Sequence, residues 1–327
     1  MLEHGGRLLR AARQYRIDPS QWLDLSTGIN PEGWPVPPIP ARAWQRLPED
    51  DDGLADVARD YYGAPSLLPV AGSQAAIQML PRLRAPSRVA VLAPGYAEHA
   101  HAWQRAGHAV ERLPAVDVFA RAVEFDVVVL IHPNNPGGER FDVAVLLQLH
   151  AALAARGGWL VVDEAFMDAD PDHSLCPHSD REGLVVLRSV GKFFGLAGAR
   201  VGFACAAPAL LDALRERLGP WTLTGPARFV VGRALADRDW HARARTALAG
   251  RSARLSALLA SHGLAPDGGC AFFHWRRDAR AARLHDALAR RGILVRHFDA
   301  PASLRFGLPR DDGDFDRLDA ALAAVTA

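Results

Sequence analysis

Short and almost continuously apolar runs alternate with longer helical stretches through the middle of the chain. Five such runs predict buried strands: Arg88–Ala93, Asp126–Ile131, Trp159–Asp163, Leu184–Ser189 and Val201–Cys205. Strands that helices cover on both faces have this character. A helix is predicted over Val143–Arg156, with Gly157-Gly158 as its stop. The alternation predicts an α/β fold, a mainly parallel sheet sandwiched by helices.

The pattern changes on either side of this block. A proline-rich stretch from Pro31 to Pro48 predicts an irregular arm or linker. Beyond the last strand, the apolar spacing predicts long helices at Pro208–Leu218 and Arg243–His262. Short β-like segments follow at Ala271–Arg276, Ile293–Phe298 and Ser303–Leu308, with a helix after the first. This C-terminal part is expected to form a smaller α+β domain.

Length and charge narrow the class of protein. The chain has 327 residues, which suggests about two domains, and a net charge of +1 offers no basic surface for nucleic acid. Its first residues lead into no apolar signal segment, and runs such as 127–131 are too short to cross a bilayer. Cys176, Cys205 and Cys270 are too few and too widely spaced for a disulfide framework. We therefore expect a cytoplasmic protein that binds neither nucleic acid nor a membrane.

Common nucleotide and metal motifs do not fit the sequence. No G-x-G-x-x-G follows a predicted strand, and Gly191-Lys192 lacks the glycine and the hydroxyl residue of a P-loop. His173, Cys176 and His178 are close in sequence, but a fourth ligand at the spacing of a zinc site is missing. We expect a polar loop there and no metal site.

Four other segments each carry a chemical group at the end of a predicted element. Gly72-Ser73-Gln74 begins a helix and could present backbone N–H groups to a phosphate, although a simple helix cap would look the same. Asn135 lies in the segment His132–Gly137, which follows a buried strand, and Asp163 is the last residue of another buried strand. Open α/β sheets bind ligands at such strand ends. The fourth segment, 189–203, contains Lys192 among glycines and Arg200 eight residues later. A lysine, an acid and a phosphate cradle are the groups needed to hold pyridoxal phosphate through a Schiff base.

With these motifs, the sequence resembles the fold-type I pyridoxal-phosphate enzymes of the class I/II aminotransferase superfamily. The resemblance extends from His4-Gly5-Gly6 to Leu304-Arg305-Phe306. It implies an N-terminal arm over 1–45 that packs with the small domain and the active site. It also implies a large cofactor-binding domain over 46–207, a small domain over 208–327, and a homodimer.

Site roles follow from the same resemblance. Lys192 would hold the cofactor covalently, Asp163 would pair with its pyridine nitrogen, and Asn135 with its phenolic oxygen. Tyr96 would stack on the ring, with a core tyrosine as the alternative. Five residues would hold the cofactor phosphate: Gly72, Ser73, Gln74, Ser189 and Arg200.

The substrate would contact a different set of residues. Arg305 matches the arginine that grips the substrate α-carboxylate. Arg296 is the first candidate for binding a substrate phosphate, and His4 is a weaker one. The alternative for Arg296 is a surface arginine at a strand end, and the alternative for His4 is an exposed terminal residue.

Within the superfamily, the opening His4-Gly5-Gly6, the segment 25–31 and the run 191–198 resemble threonine-phosphate decarboxylases of cobalamin biosynthesis. A small phosphorylated amino acid is then the expected substrate. Histidinol-phosphate aminotransferases remain an alternative, and a non-catalytic binding or regulatory module on the same fold is a remote one. Phe166 stands where aminotransferases usually have tyrosine, Leu47 where many relatives have a tyrosine that reaches the partner subunit, and Gly191 where serine or threonine is common. These departures weaken the aminotransferase alternative more than the cofactor assignment.

Overall fold

The computed structural model describes residues 4–326. The chain divides into two compact units. Among the described residues, the larger unit consists of residues 33–135 and 140–242, and the smaller unit of residues 4–32, 136–139 and 243–326. No helix within residues 4–326 combines the length and the apolar character needed to span a membrane.

The helices and strands are numbered in chain order. The helices are α1 (Leu8–Tyr15), α2 (Ala41–Gln45), α3 (Leu54–Tyr62), α4 (Ser73–Met79), α5 (Ala97–Arg105), α6 (Ala115–Ala120), α7 (Val143–Ala154), α8 (Pro208–Leu218), α9 (Gly225–Ala236), α10 (Arg238–Ser261), α11 (Ala281–Ala289) and α12 (Asp312–Thr326). The strands are β1 (Leu23–Leu25), β2 (Leu67–Val70), β3 (Arg88–Leu92), β4 (Ala109–Leu113), β5 (Val127–Ile131), β6 (Trp159–Asp163), β7 (Leu184–Ser189), β8 (Gly202–Ala206), β9 (Gly268–Cys270), β10 (Phe273–Arg277), β11 (Ile293–Phe298) and β12 (Ser303–Gly307).

The larger unit is built on a sheet with the strand order β2-β8-β7-β6-β5-β3-β4. Strands β4, β3, β5, β6 and β7 pair in parallel, whereas β8 runs antiparallel to both β7 and β2. Val127, Val129 and Val161 share one core with residues of α4, α5 and α8. The alternate positions on the same strands, such as Val128 and Val162, are also fully buried. The mainly parallel α/β sheet predicted from the sequence is therefore confirmed.

The central strands match the sequence prediction closely, and the edge strands do not. Strands β6 and β7 have the predicted bounds, β3 and β5 differ from theirs by one residue at one end, and β8 is shifted by one residue at both ends. Strands β2 and β4, at the two edges of the sheet, were not predicted. Strand β2 contains Pro69, which an edge strand tolerates, and β4 is only partly buried, so neither has the apolar run of a central strand.

The smaller unit contains a second sheet with the order β1-β11-β12-β10-β9. Strand β1 pairs in parallel with β11, and the other neighbouring strands pair antiparallel. Helix α11 packs on β11 and β12 and contacts α12. The N-terminal segment and the C-terminal segment of the chain thus belong to one sheet.

The boundaries of the two units differ from those expected of the domains. Residues 208–242 belong to the larger unit, although the sequence assigned them to the small domain. The physical reason is packing: α8 lies against β2 and β8, and α9 lies against α3. The boundary falls inside α10, where an uninterrupted helix gives no sequence signal of a domain change.

Candidate active site

The neighbouring strands β2, β8 and β7 of the larger unit have ends at the same edge of the sheet, next to the residues predicted to bind a phosphate. Gly202, the first residue of β8, pairs with Val70 at the end of β2 and with Ser189 at the end of β7. Because β8 is antiparallel to both neighbours, the residues before it lie beside the residues that follow β2 and β7. This register brings Gly72, Ser189 and Arg200 together from distant parts of the chain.

Gly72 and Arg200 form a cradle at the start of α4. Gly72 has a φ of +73°, and a Cβ atom there would lie 2.7 Å from Nη2 of Arg200. Arg200 itself has a left-handed backbone, with φ 55° and ψ 51°, which is rare for a residue other than glycine. Gly202 is equally constrained, because a Cβ atom would lie 2.5 Å from the backbone nitrogen of Ser73. A guanidinium beside the first turn of a helix suits a phosphate, so the cradle fits the predicted group.

Lys192 lies on the turn that follows β7. The Ser189 hydroxyl accepts a hydrogen bond from the Gly191 backbone at 3.3 Å, and Lys192 Nζ lies 5.7 Å from the centre of the Phe166 ring. Phe194 is fully buried and stacks on Trp240, with ring centres 5.6 Å apart. This packing fixes the backbone that carries the lysine. Phe166 supplies a flat apolar surface where a tyrosine would add a hydroxyl.

Asp163 ends β6 and is almost completely buried, with 3% of its surface exposed. Its Oδ2 lies 2.9 Å from Nε2 of His99 on α5, and its Oδ1 accepts a hydrogen bond from the Ala165 backbone at 3.0 Å. His99 is itself 1% exposed. The sequence did not point to His99, because a single histidine in a helix carries no signal of a partner 64 positions away.

Tyr96 precedes α5 and is tied to α4 through its hydroxyl. The Tyr96 hydroxyl donates a hydrogen bond to Gln74 Oε1 at 3.2 Å. Burial, together with the negative charges of Glu98 and Asp163, raises the pKa of Tyr96 to about 12, and the Arg200 charge opposes this shift. Tyr96 therefore lies within electrostatic range of both the acid and the phosphate cradle. The Gln74 side chain is held by Tyr96 and Glu98.

Asn135 follows the buried strand β5 on a turn that neighbouring side chains hold in place. Asn134 donates a hydrogen bond from Nδ2 to the Pro94 carbonyl oxygen at 2.8 Å, which places the turn beside the segment that carries Tyr96. His132 is fully buried at the end of the strand. Asn135 is half-buried, as a residue at the rim of a ligand site would be.

A buried ion-pair cluster lies next to the site and was not predicted. Arg188, one residue before Ser189, contacts Glu164 at 2.6 Å and Asp168 at 2.7 Å, and all three side chains are 1% exposed or less. Burial alone would lower the pKa of Arg188, but the two carboxylates outweigh it and raise the pKa well above its usual value. The cluster joins the ends of β6 and β7, the strands that carry Asp163 and Ser189. An arginine inside an apolar strand was the available sequence signal.

The segment that contains His173, Cys176 and His178, where the sequence predicts a polar loop, forms short 3-10 turns between β6 and β7. Within residues 4–326, no three His, Cys, Asp or Glu side chains are grouped in a way that could hold a metal ion. Cys176 is buried, with its Sγ 3.8 Å from Sγ of Cys205. The three cysteines are free and buried.

In the smaller unit, Arg305 and Arg296 face each other on paired strands. Arg305 of β12 is the direct antiparallel partner of Arg296 of β11, so both side chains point to the same face of the sheet. Arg305 is 6% exposed, donates a hydrogen bond to the Ser26 carbonyl oxygen at 2.8 Å, and lies 4.8 Å from the centre of the Phe273 ring. Burial is the main reason that the pKa of Arg305 is lowered to about 10, and the positive charge of Arg296 adds to it.

The N-terminal His4-Gly5-Gly6 segment lies beside the same serine. The Gly6 backbone donates a hydrogen bond to the Ser26 hydroxyl at 2.7 Å, and a Cβ atom on Gly5 would lie 2.2 Å from the Ser26 carbonyl oxygen. His4 is half-buried in the same segment. The three residues predicted to bind substrate thus belong to one unit, and the nine predicted to bind or react with the cofactor belong to the other.

Known proteins of one family match most of this chain. Residues 53–322 match the model of the family described as aminotransferase class I and II. The chain belongs to this family. It is 57% identical to a threonine-phosphate decarboxylase of Pseudomonas aeruginosa, over 98% of this chain and 97% of that protein. It is 43% identical to a threonine-phosphate decarboxylase of Sinorhizobium sp, over 98% of each chain.

A solved structure has the same fold at low sequence identity. The histidinol-phosphate aminotransferase of Clostridium acetobutylicum superposes with a TM-score of 0.83 at 20% identity, covering 93% of this chain and 99% of that one. The family match confirms the cofactor expected from the sequence, pyridoxal phosphate.

Proposed function

We propose that the chain is a pyridoxal-phosphate-dependent carboxy-lyase of cobalamin biosynthesis, which converts O-phospho-L-threonine to (R)-1-amino-2-propanol O-phosphate. Two relatives with 57% and 43% identity over nearly their whole lengths carry the name threonine-phosphate decarboxylase. The substrate would be a small molecule with an amino group, a carboxylate and a phosphate.

The paired arginines carry this proposal. Like charges placed directly opposite each other on neighbouring strands destabilise a sheet, and Arg305 is buried as well. A substrate with two anionic groups compensates both cations at once. We assign the carboxylate to Arg305, because a guanidinium binds a carboxylate with two parallel hydrogen bonds, and the phosphate to Arg296 with help from His4.

The residues of the larger unit would hold the cofactor. Bound pyridoxal phosphate supplies an electron sink for the bond that breaks at the substrate Cα. The Gly72–Arg200 cradle, with Ser73, Ser189 and the Gln74 backbone, would bind its phosphate. Asp163 would hold a proton on its pyridine nitrogen, Asn135 would donate to its phenolic oxygen, and Tyr96 would stack on its ring.

Lys192 and Arg305 would have the two active roles. Lys192 would hold the cofactor covalently before the substrate binds. Once the substrate has displaced it, its Nζ would carry a proton as an ammonium group and would deliver that proton to the substrate Cα as the general acid. Arg305 would orient the carboxylate so that the bond to carbon dioxide, rather than the bond to hydrogen, is the one that breaks.

A product assay tests the assignment and its alternative. The purified, cofactor-loaded protein is incubated with O-phosphothreonine, and carbon dioxide and 1-amino-2-propanol phosphate are measured. A parallel reaction contains histidinol phosphate and 2-oxoglutarate, with glutamate as the product measured. We expect carbon dioxide release without any need for 2-oxoglutarate. Glutamate formation without carbon dioxide would instead support a histidinol-phosphate-type aminotransferase, and inactivity in both reactions with cofactor bound would support a non-catalytic module.

We also propose that the protein is a homodimer. Trp44, Leu47 and Trp221 are large apolar side chains with 59–68% of their surface exposed. Trp44 and Leu47 lie on or next to α2, which packs on α9, and Trp221 lies just before α9. A second copy of the chain would cover this surface. Sedimentation of the wild type and of Trp44→Glu at equal concentration tests this, and a monomeric wild type would overturn it.

We propose a cytoplasmic location, because the three cysteines are free and buried, as is usual for proteins in a reducing compartment.

A further inference from the structure

A chain of hydrogen bonds leads away from Tyr96 through side chains that the proposed reaction does not use. The Tyr96 hydroxyl donates to Gln74 Oε1 at 3.2 Å, and Gln74 Nε2 donates to Glu98 Oε2 at 3.0 Å. Gln78 Nε2 donates to the same Glu98 oxygen at 3.2 Å. We propose that Gln74, Glu98 and Gln78 are positioning residues that hold the Tyr96 ring in the plane needed to stack on the cofactor. This inference rests on the proposed cofactor site.

The chemistry of Glu98 fixes the direction of every bond in this chain. An ionised carboxylate only accepts hydrogen bonds, so the Gln74 side chain must turn its amide nitrogen towards Glu98. Its carbonyl oxygen then faces Tyr96, whose hydroxyl can act only as the donor. Gln78 adds a second donor to the carboxylate. The orientation of Gln74 is therefore decided by charge.

The elements that carry these residues are rigidly packed. Gln74 and Gln78 are four residues apart on α4 and lie on the same face of that helix. Glu98 is in the first turn of α5, the helix that begins directly after Tyr96. Ile77 of α4 and Ala100 of α5 belong to the same buried core. The hydrogen bonds thus connect Tyr96 to a fixed framework.

A tyrosine held in this way is anchored at both ends of its side chain. Its Cα is fixed at the start of α5, and its hydroxyl is fixed by Gln74, so rotation about both side-chain bonds is restricted. The Tyr96 hydroxyl is protonated at neutral pH, as in any tyrosine, and its raised pKa keeps it able to donate at higher pH as well. The ring also contacts His99 edge-on, with centres 6.1 Å apart, and His99 contacts Asp163. A change in the tilt of Tyr96 would therefore be felt at the residue proposed to hold the pyridine nitrogen.

A double-mutant cycle on the full-length protein tests the proposal. Tyr96→Phe removes only the hydroxyl, and Gln74→Met removes only the amide at similar length. The measurements are the dissociation constant for pyridoxal phosphate and the visible circular dichroism of the bound cofactor. Each single variant should weaken cofactor binding about two- to tenfold and reduce the dichroism. The double variant should be no worse than either single variant.

Two further variants test the role of Glu98, at the end of the hydrogen-bond chain farthest from Tyr96. Glu98→Ala should reproduce Gln74→Met, whereas Glu98→Gln keeps an oxygen acceptor and should restore most of the affinity. Gln104→Met, at an exposed position of α5, is the matched control and should bind cofactor like the wild type. Effects of Tyr96→Phe and Gln74→Met that multiply in the double variant would overturn the proposal, as would a wild-type dichroism in both. A wild type that binds no pyridoxal phosphate would instead refute the proposed function.

Discussion

Replacing His132 with asparagine should make the stability of the protein less sensitive to acid. His132 is fully buried. Its Nδ1 accepts a hydrogen bond from the Phe141 backbone at 3.3 Å, so its proton is on Nε2, which lies 3.3 Å from the His173 carbonyl oxygen. A second proton would have to bind at Nδ1, where it would face the Phe141 N–H group and break this hydrogen bond. Burial lowers the pKa of His132 to about 4, and the nearby charge of Arg140 adds to the effect.

The size of the effect follows from the difference between the folded and unfolded pKa values. The folded pKa of about 4 is below the ordinary value of 6.5, so the unfolded chain binds more protons between these two pH values. The contribution of neutral His132 is fully present above pH 6.5 and is lost as the pH falls through 4. A single group with these values removes about 2 kcal/mol of stability by pH 5 and about 3 kcal/mol by pH 4.

Urea unfolding of the wild type and of His132→Asn at pH 7.5, 6 and 5 measures this contribution. The asparagine oxygen can still accept from Phe141, so the variant keeps one of the two hydrogen bonds. Other groups titrate in both proteins, and their contributions cancel in the comparison. The wild type should lose about 2 kcal/mol more than the variant between pH 7.5 and pH 5. Equal losses in the two proteins would refute the reasoning.

Three other substitutions test separate parts of the site. Lys192→Ala should abolish turnover and the covalent cofactor adduct seen by mass spectrometry after borohydride reduction, while non-covalent binding through the phosphate cradle persists; an active variant would contradict the assignment. Arg305→Lys loses the planar fork, so kcat/KM should fall about ten- to hundredfold with an unchanged cofactor spectrum, and an unchanged kcat/KM would exclude the carboxylate role. Arg188→Met leaves two carboxylates buried without a cation and should lower the free energy of unfolding by about 3–5 kcal/mol, measured in urea; a loss under 1 kcal/mol would contradict the account.

The sequence predicts those parts of the fold in which local composition and burial agree. Strands β6 and β7 are apolar because both of their faces are covered, and their predicted bounds are those observed. Strand β4 has one residue in five fully buried and cannot be distinguished from a loop by composition. The domain boundary lies inside α10, where helical periodicity continues without a break.

The same distinction applies to the site. Residues carried by recognisable motifs, such as Lys192, Asp163 and Arg200, can be named from the sequence. His99 could not be named, because its contact with Asp163 depends on the packing of α5 against the sheet. The sequence also could not predict the hydrogen bonds of the Gln74 side chain. The motif indicates only where the Gln74 backbone lies, and the direction of its side chain depends on the position of Glu98.

The antiparallel strand β8 has a consequence for the order of events during folding. The phosphate cradle needs residue 72, residue 189 and residue 200, and they come together only when β8 has paired with both β2 and β7. Contacts between such distant segments form late, because closing a long loop costs entropy before any contact compensates it. If this cradle holds the cofactor phosphate, as proposed, the cofactor binds only after this part of the sheet is complete. Pyridoxal phosphate added to a refolding chain should therefore leave the rate of the early folding steps unchanged. The rate at which the cofactor binds should equal the rate at which β8 pairs with β2 and β7.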